Sequence, residues 1–138
     1  MDLNELSSKV IGAAIDVHKQ LGPGLLESVY QKCMEIELKE RDLQVQTEVP
    51  IHVSYRGHEI PDDAFRIDLL IEDALVVVLK SVEEVKPVHK KQVLTYLRLT
   101  GKQLGLLINF NESLLREGII RIANEFSVTA QSAAGSSE

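Results

Sequence analysis

Residues 75–79, Leu-Val-Val-Val-Leu, form an unbroken apolar run that ends abruptly at Lys80. A short run this rich in β-branched side chains specifies a strand covered on both faces, so the chain must supply helices or sheet on either side of it. Just upstream, residues 65–71 alternate, with Ile67, Leu69 and Ile71 on one side and Asp68 and Leu70 on the other. Glu72-Asp73 is a tight turn between the two strands. An antiparallel pair of this length brings Asp68 close to Lys80 at one end of a sheet. A carboxylate and an ammonium held on a buried platform are the beginnings of a metal and phosphate site. The alternative is a solvated strand end with a charge at each edge.

The rest of the chain supplies the covering layers. Residues 2–20 read as a helix: Asp2 and Glu5 give an N-terminal capping signal, and Leu6, Val10, Ala13, Ala14 and Val17 recur at helical spacing. Gly22-Pro23-Gly24 stops it, with His18 expected at the surface near its C-terminal end. A second helix is predicted over residues 25–41, with Leu26, Val29, Cys33 and Ile36 as its buried stripe. Glu27 stands in its first turn, where a carboxylate suits the helix dipole, with Tyr30 on the same side.

Residues 45–55 read as one strand, bulged or at an edge because of Pro50, with a turn at Arg56-Gly57-His58 and a return through Ile60. Pro61-Asp62-Asp63 breaks the run. Past Lys80 comes a polar connector carrying Glu83 and Glu84, then a helix from Pro87 to about Thr100, stopped by Gly101. Val93, Leu94 and Leu97 face the core, and Gln92 and Tyr96 lie on one shoulder of that face. At roughly 100° per residue, Lys91, Arg98 and Lys102 fall within about 40° of one another and form the basic stripe of the chain. Residues 104–108 are a buried strand, 113–117 a helical turn and 119–122 a short last strand, followed by a polar tail over 127–138. The order predicts an α/β fold of mixed type, a central mixed sheet flanked by helices, in a single domain over residues 1–126.

Composition excludes several classes. A net charge of −6 argues against broad electrostatic binding of nucleic acid, leaving only a local basic surface. The single cysteine, Cys33, rules out an internal disulfide and is expected to pack in the interior. His52 and His58 lack a third ligand, so no zinc site is read. The longest apolar run is too short for a bilayer, and the first residues lack the basic and apolar regions of a signal peptide, so no membrane partner and a cytoplasmic location are expected.

Gly24-Leu-Leu-Glu27-Ser-Val-Tyr30 is a G-x-x-E-x-x-Y string. With Phe65-Arg-Ile-Asp68-Leu-Leu, Pro87-Val-His89, Gln92-Val-Leu-Thr-Tyr96-Leu and Leu104-Gly-Leu-Leu-Ile-Asn-Phe110-Asn in matching order, the chain resembles the GxxExxY family of the PD-(D/E)XK nuclease-like superfamily over about residues 5–123. The resemblance implies a restriction-endonuclease-like αβββαβ core with an extra N-terminal helix, and an Mg²⁺- or Mn²⁺-dependent site cleaving phosphodiesters. It assigns Glu27 and Asp68 to the metal, Lys80 to the scissile phosphate or the attacking water, and Gln92 and Tyr96 to orienting those groups. Nucleic acid is the implied partner, approached by Lys91, Arg98 and Lys102.

One position departs from the pattern. In Val78-Leu79-Lys80 the glutamate of the E-x-K tripeptide is replaced by valine, which shares a strand face with Lys80. Only two carboxylates remain, so weak metal binding and weak or lost cleavage are expected, with Glu83 or Glu84 as possible displaced ligands. The competing readings are a non-catalytic module that keeps the fold to bind nucleic acid or protein, and a structural homodimer through exposed strand or helix faces.

Overall fold

The computed structural model describes residues 1–60 and 65–125, so the expectations for Pro61-Asp62-Asp63 and for the tail over 127–138 lie outside the described residues. Helix α1 (Leu3–Leu21) is capped by the Asp2 carboxylate, which accepts the Glu5 N–H at 2.8 Å. It is followed by α2 (Glu27–Glu40), strand β1 (Val45–Pro50), β2 (Val53–Tyr55), β3 (His58–Ile60), β4 (Arg66–Ile71) and β5 (Leu75–Lys80). Helix α3 (Pro87–Thr100), β6 (Leu104–Asn109), the 3₁₀ turn η1 (Leu115–Gly118) and β7 (Ile119–Ala123) complete the described residues.

The main sheet has the order β1-β4-β5-β6-β7, with β5 and β6 parallel and the other neighbours antiparallel. The apolar run thus occupies the centre, as its sequence predicts, and residues 75–79 are all buried. A parallel β5–β6 pair needs a crossover, and α3 is that crossover. Helices α1 and α2 cover one face through Leu75, Val77 and Leu79, and α3 covers the other through Val76 and Val78. None of the helices of the described residues is long and apolar enough to cross a membrane.

Three expectations are corrected. The predicted strand over 45–55 is two: β1 is the edge of the main sheet, whereas β2 pairs with β3 in a separate hairpin. The Arg56-Gly57 turn of that hairpin carries positive φ at both residues, as the tightest right-twisted hairpins require.

Secondly, Ile67 does not share a face with Leu69 and Ile71: it packs with Leu70 on the α3 side, while Leu69 and Ile71 pack under α1 and α2. The cause is a break opposite it. The register pairs Thr47 with Leu69 and Val49 with Ile67, but Glu48, at φ 51°, makes no pair with Asp68. A residue in left-handed conformation interrupts the pleat, so both strands change face there.

Thirdly, α2 is turned about its axis. Tyr30, Met34 and Leu38 are its buried residues, whereas Leu26, Val29 and Ile36 are exposed and Cys33 is half-buried. Tyr30 decides the orientation: its ring stacks on Phe110 at 4.4 Å between centroids, and its hydroxyl is tied to the loop before the helix. On α3, Val93 and Leu97 are buried as expected and Leu94 is half-buried.

Gly118 joins η1 to β7 where a side chain has no room. A Cβ there would lie against the Asn109 carbonyl oxygen and 2.8 Å from Glu112 Cγ. The Asn109 backbone belongs to a buried strand and cannot retreat. Gly118→Ala is expected to lower stability by about 1–3 kcal/mol, read as a drop in the urea midpoint at unchanged slope.

Candidate active site

The break in the sheet creates the site. Where β4 leaves the ladder, Asp68 turns its carboxylate toward β5, and Oδ2 accepts the Leu79 N–H at 2.7 Å. A side chain thus takes over a strand-pairing bond, and the carboxylate is fixed one residue from Lys80. Burial raises the Asp68 carboxyl to about 6, against a usual value of 3.8. The Leu79 N–H and Lys80 pull it down, and the charges of Glu48 and Glu27 push it further up.

Glu27 arrives from the other side. Its Oε2 accepts the Ser81 N–H at 3.3 Å, and Ser81 Oγ donates to the Leu25 carbonyl at 2.6 Å. The loop between α1 and α2 is drawn onto the end of β5 in this way. Tyr30 holds the loop in turn: its hydroxyl donates to the Gly22 carbonyl at 2.5 Å and accepts the Leu25 N–H at 3.2 Å. Asn109, fully buried at the end of β6 beside Lys80, clips the outgoing connector. Its side chain accepts the Val82 N–H at 3.1 Å and donates to the Val82 carbonyl at 2.9 Å.

On the α3 side, Lys80, Gln92 and Tyr96 line one cavity of about 470 Å³ together with Phe65, His89 and Lys91. Gln92 Nε2 donates to the Tyr96 hydroxyl at 2.9 Å. Burial raises the Tyr96 phenol, Gln92 partly offsets this, and the Asp68 charge adds to it. Tyr96 therefore stays protonated, with its own O–H left to donate. Val78, at 4% exposure, is packed among the apolar side chains of this same face.

Of the five residues expected as a site, Lys80, Gln92 and Tyr96 line one cavity, and Asp68 and Glu27 accept the backbone N–H groups on either side of Lys80. Glu83 and Glu84 are exposed on the connector, and neither is among the charges acting on Asp68. Among the described residues no group of three or more His, Cys, Asp or Glu side chains is arranged to hold a metal ion.

The basic stripe is not assembled as expected. Gly101, at φ 73°, turns the chain out of the helix, and Lys102 Nζ instead donates to the Asp73 carbonyl and carboxylate at 2.7 and 3.2 Å. Lys91 and Arg98 remain exposed on α3. Nor is His18 a surface residue: it is half-buried, and its Nε2 donates to the Glu112 carbonyl at 2.8 Å.

Two residues escaped the sequence reading. Glu48 faces Asp68 only through the register of β1 on β4, which no spacing in the sequence encodes. His89 closes the N-terminus of α3, its Nδ1 accepting the Lys86 N–H at 3.0 Å. Its Nε2 is consequently the protonated nitrogen of the neutral ring, on a side chain that lines the cavity. The Pro87-Val-His89 string marked the position but not the role.

A family model described as the PD-(D/E)XK nuclease superfamily matches residues 4–122. No curated protein and no solved structure gives a match to the chain.

Proposed function

The chain belongs to the PD-(D/E)XK nuclease superfamily, and on that premise we propose that it is a GxxExxY-type nuclease-family protein whose metal-dependent phosphodiester cleavage is weak or lost. The observation that carries this reading is the side chain of Val78, apolar and 4% exposed on the strand face it shares with Lys80. Glu27 and Asp68 are left as the carboxylates that accept the backbone N–H groups on either side of Lys80, and Glu48 is a further negative charge acting on Asp68.

Mg²⁺ and Mn²⁺ are hard ions that favour several oxygen ligands in near-octahedral array. Glu27 and Asp68 supply too little charge and too few oxygens for tight binding, so the donor set fits such an ion poorly. Lys80 is the residue to meet a phosphate oxygen. Gln92 and the protonated Tyr96 are the groups to orient it, and the Leu79 amide keeps Asp68 pointing at the same place.

The burial of Val78 also favours a second reading, a module that keeps the fold to bind nucleic acid or protein without cutting it. Calorimetric titration with Mn²⁺ separates the two. On the first reading the parent binds with a dissociation constant on the order of millimolar, and Asp68→Ala abolishes the binding. A parent that binds no Mn²⁺ excludes surviving metal-dependent cleavage and favours the second reading.

A further inference from the structure

A second cleft, of about 510 Å³, lies between the C-terminal end of α1 and η1. Its lining includes the apolar Ile15, Pro23, Leu114 and Leu115 beside Lys19 and Arg116. We propose that this cleft binds the sugar–phosphate backbone of a nucleic-acid strand that continues from the site around Lys80, an inference that rests on the nuclease-family reading above.

Charge carries the argument first. The chain has 21 acidic and 15 basic side chains, yet no acidic side chain lines this cleft. Lys32, Lys39, Arg41 and Lys102 are each paired with a carboxylate. Lys19 and Arg116 are exposed and, among the described residues, enter no ion pair. In an acidic protein, two unneutralised cations lining one partly apolar cleft are matched by an anion with an apolar part. A nucleotide unit has both, a phosphate for the cations and a sugar and base for the apolar lining.

Continuity with the candidate site is the second argument. Gly22 and Pro23 line the cleft, and they belong to the loop that Tyr30 holds and whose Leu25 carbonyl receives Ser81 Oγ. One face of the loop therefore forms the cleft wall while its far end carries Glu27 to β5. The loop thus joins the cleft to the candidate site. The walls are tied together as well, because His18 on α1 donates to the carbonyl of Glu112 just before η1.

The test is fluorescence anisotropy with a labelled single-stranded oligothymidylate in EDTA, so that neither metal nor cleavage enters. The parent is compared with Lys19→Glu/Arg116→Glu and with Lys32→Glu/Lys39→Glu, two charge reversals on the exposed side of α2 that change the net charge equally. Circular dichroism melts verify that each variant folds. The cleft variant is expected to lose at least tenfold in affinity, with the slope of log affinity against log salt shallower by about 1.4, as for two single-strand phosphates. Lys32→Glu/Lys39→Glu is expected to bind like the parent.

Equal loss in both variants, no loss in the cleft variant, or no binding by the parent would each overturn the proposal. Competition by inorganic phosphate as effective as competition by unlabelled oligonucleotide would reduce the cleft to a simple anion site and overturn it too. The Mn²⁺ titration at Asp68 involves neither Lys19 nor Arg116, so a failure there is a failure of the nuclease reading and not of the cleft.

Discussion

Val78→Glu is expected to bind Mn²⁺ at least tenfold more tightly than the parent and to cleave nucleic acid on the order of a thousandfold faster. The substitution adds a third carboxylate on the strand face of Lys80, one residue before the amide that holds Asp68. The same substitution carries a penalty without metal. Val78 is enclosed by apolar side chains, and a carboxylate there also meets the charges already crowding Asp68. The metal-free variant is expected to lose about 2–4 kcal/mol of stability and to recover much of it in Mn²⁺. Melting temperatures in EDTA and in Mn²⁺, beside calorimetry and a cleavage assay, check both halves. A variant that binds Mn²⁺ no better than the parent would mean the site is misplaced.

Asp68→Asn is expected to stabilise the metal-free protein at neutral pH, by an amount on the order of 2–3 kcal/mol. The folded protein holds the Asp68 proton up to about pH 6, whereas the unfolded chain releases it near 3.8. The folded state therefore binds more protons across that window. The stability from the protonated carboxyl is complete below the unfolded value and is lost as pH rises through the folded one. Asparagine stays neutral throughout and keeps an oxygen for the Leu79 N–H. Melting curves of the two proteins should nearly coincide at about pH 4 and diverge at about pH 7.5 with the variant higher. A variant melting below the parent at the higher pH would contradict the burial of Asp68 as the source of its shift.

Much of the fold was legible because its signals were local. The apolar run at 75–79 identified the central strand, and Pro87 and Gly101 bounded the helix that crosses from β5 to β6. The phase of α2 was not legible in the same way. Leu26, Val29, Cys33 and Ile36 repeat at helical spacing, but so do Tyr30, Met34 and Leu38, and periodicity cannot choose between two apolar faces. Hydrogen bonds from the Tyr30 hydroxyl and its stacking on Phe110 choose, and both depend on tertiary contacts.

The site divides likewise. Asp68 and Lys80 come together because a hairpin fixes its own register, so adjacent strands in sequence suffice to predict it. Glu48 joins them through the pairing of β1 with β4 and a single left-handed residue, neither of which leaves a pattern in the chain. Lys102 leaves the line of Lys91 and Arg98 because helical periodicity ends at Gly101, one residue before it.

The kink at Glu48 also bears on self-association. Strand β1 is one border of the sheet, and an open border invites a strand from another molecule. Here the border bends at Glu48, exposes that charge, and ends at Pro50, which has no N–H to offer. A straight incoming strand would lose its hydrogen bonds within a few residues. The distortion that turns Asp68 toward Lys80 thus also blunts this side of the sheet as a template for aggregation.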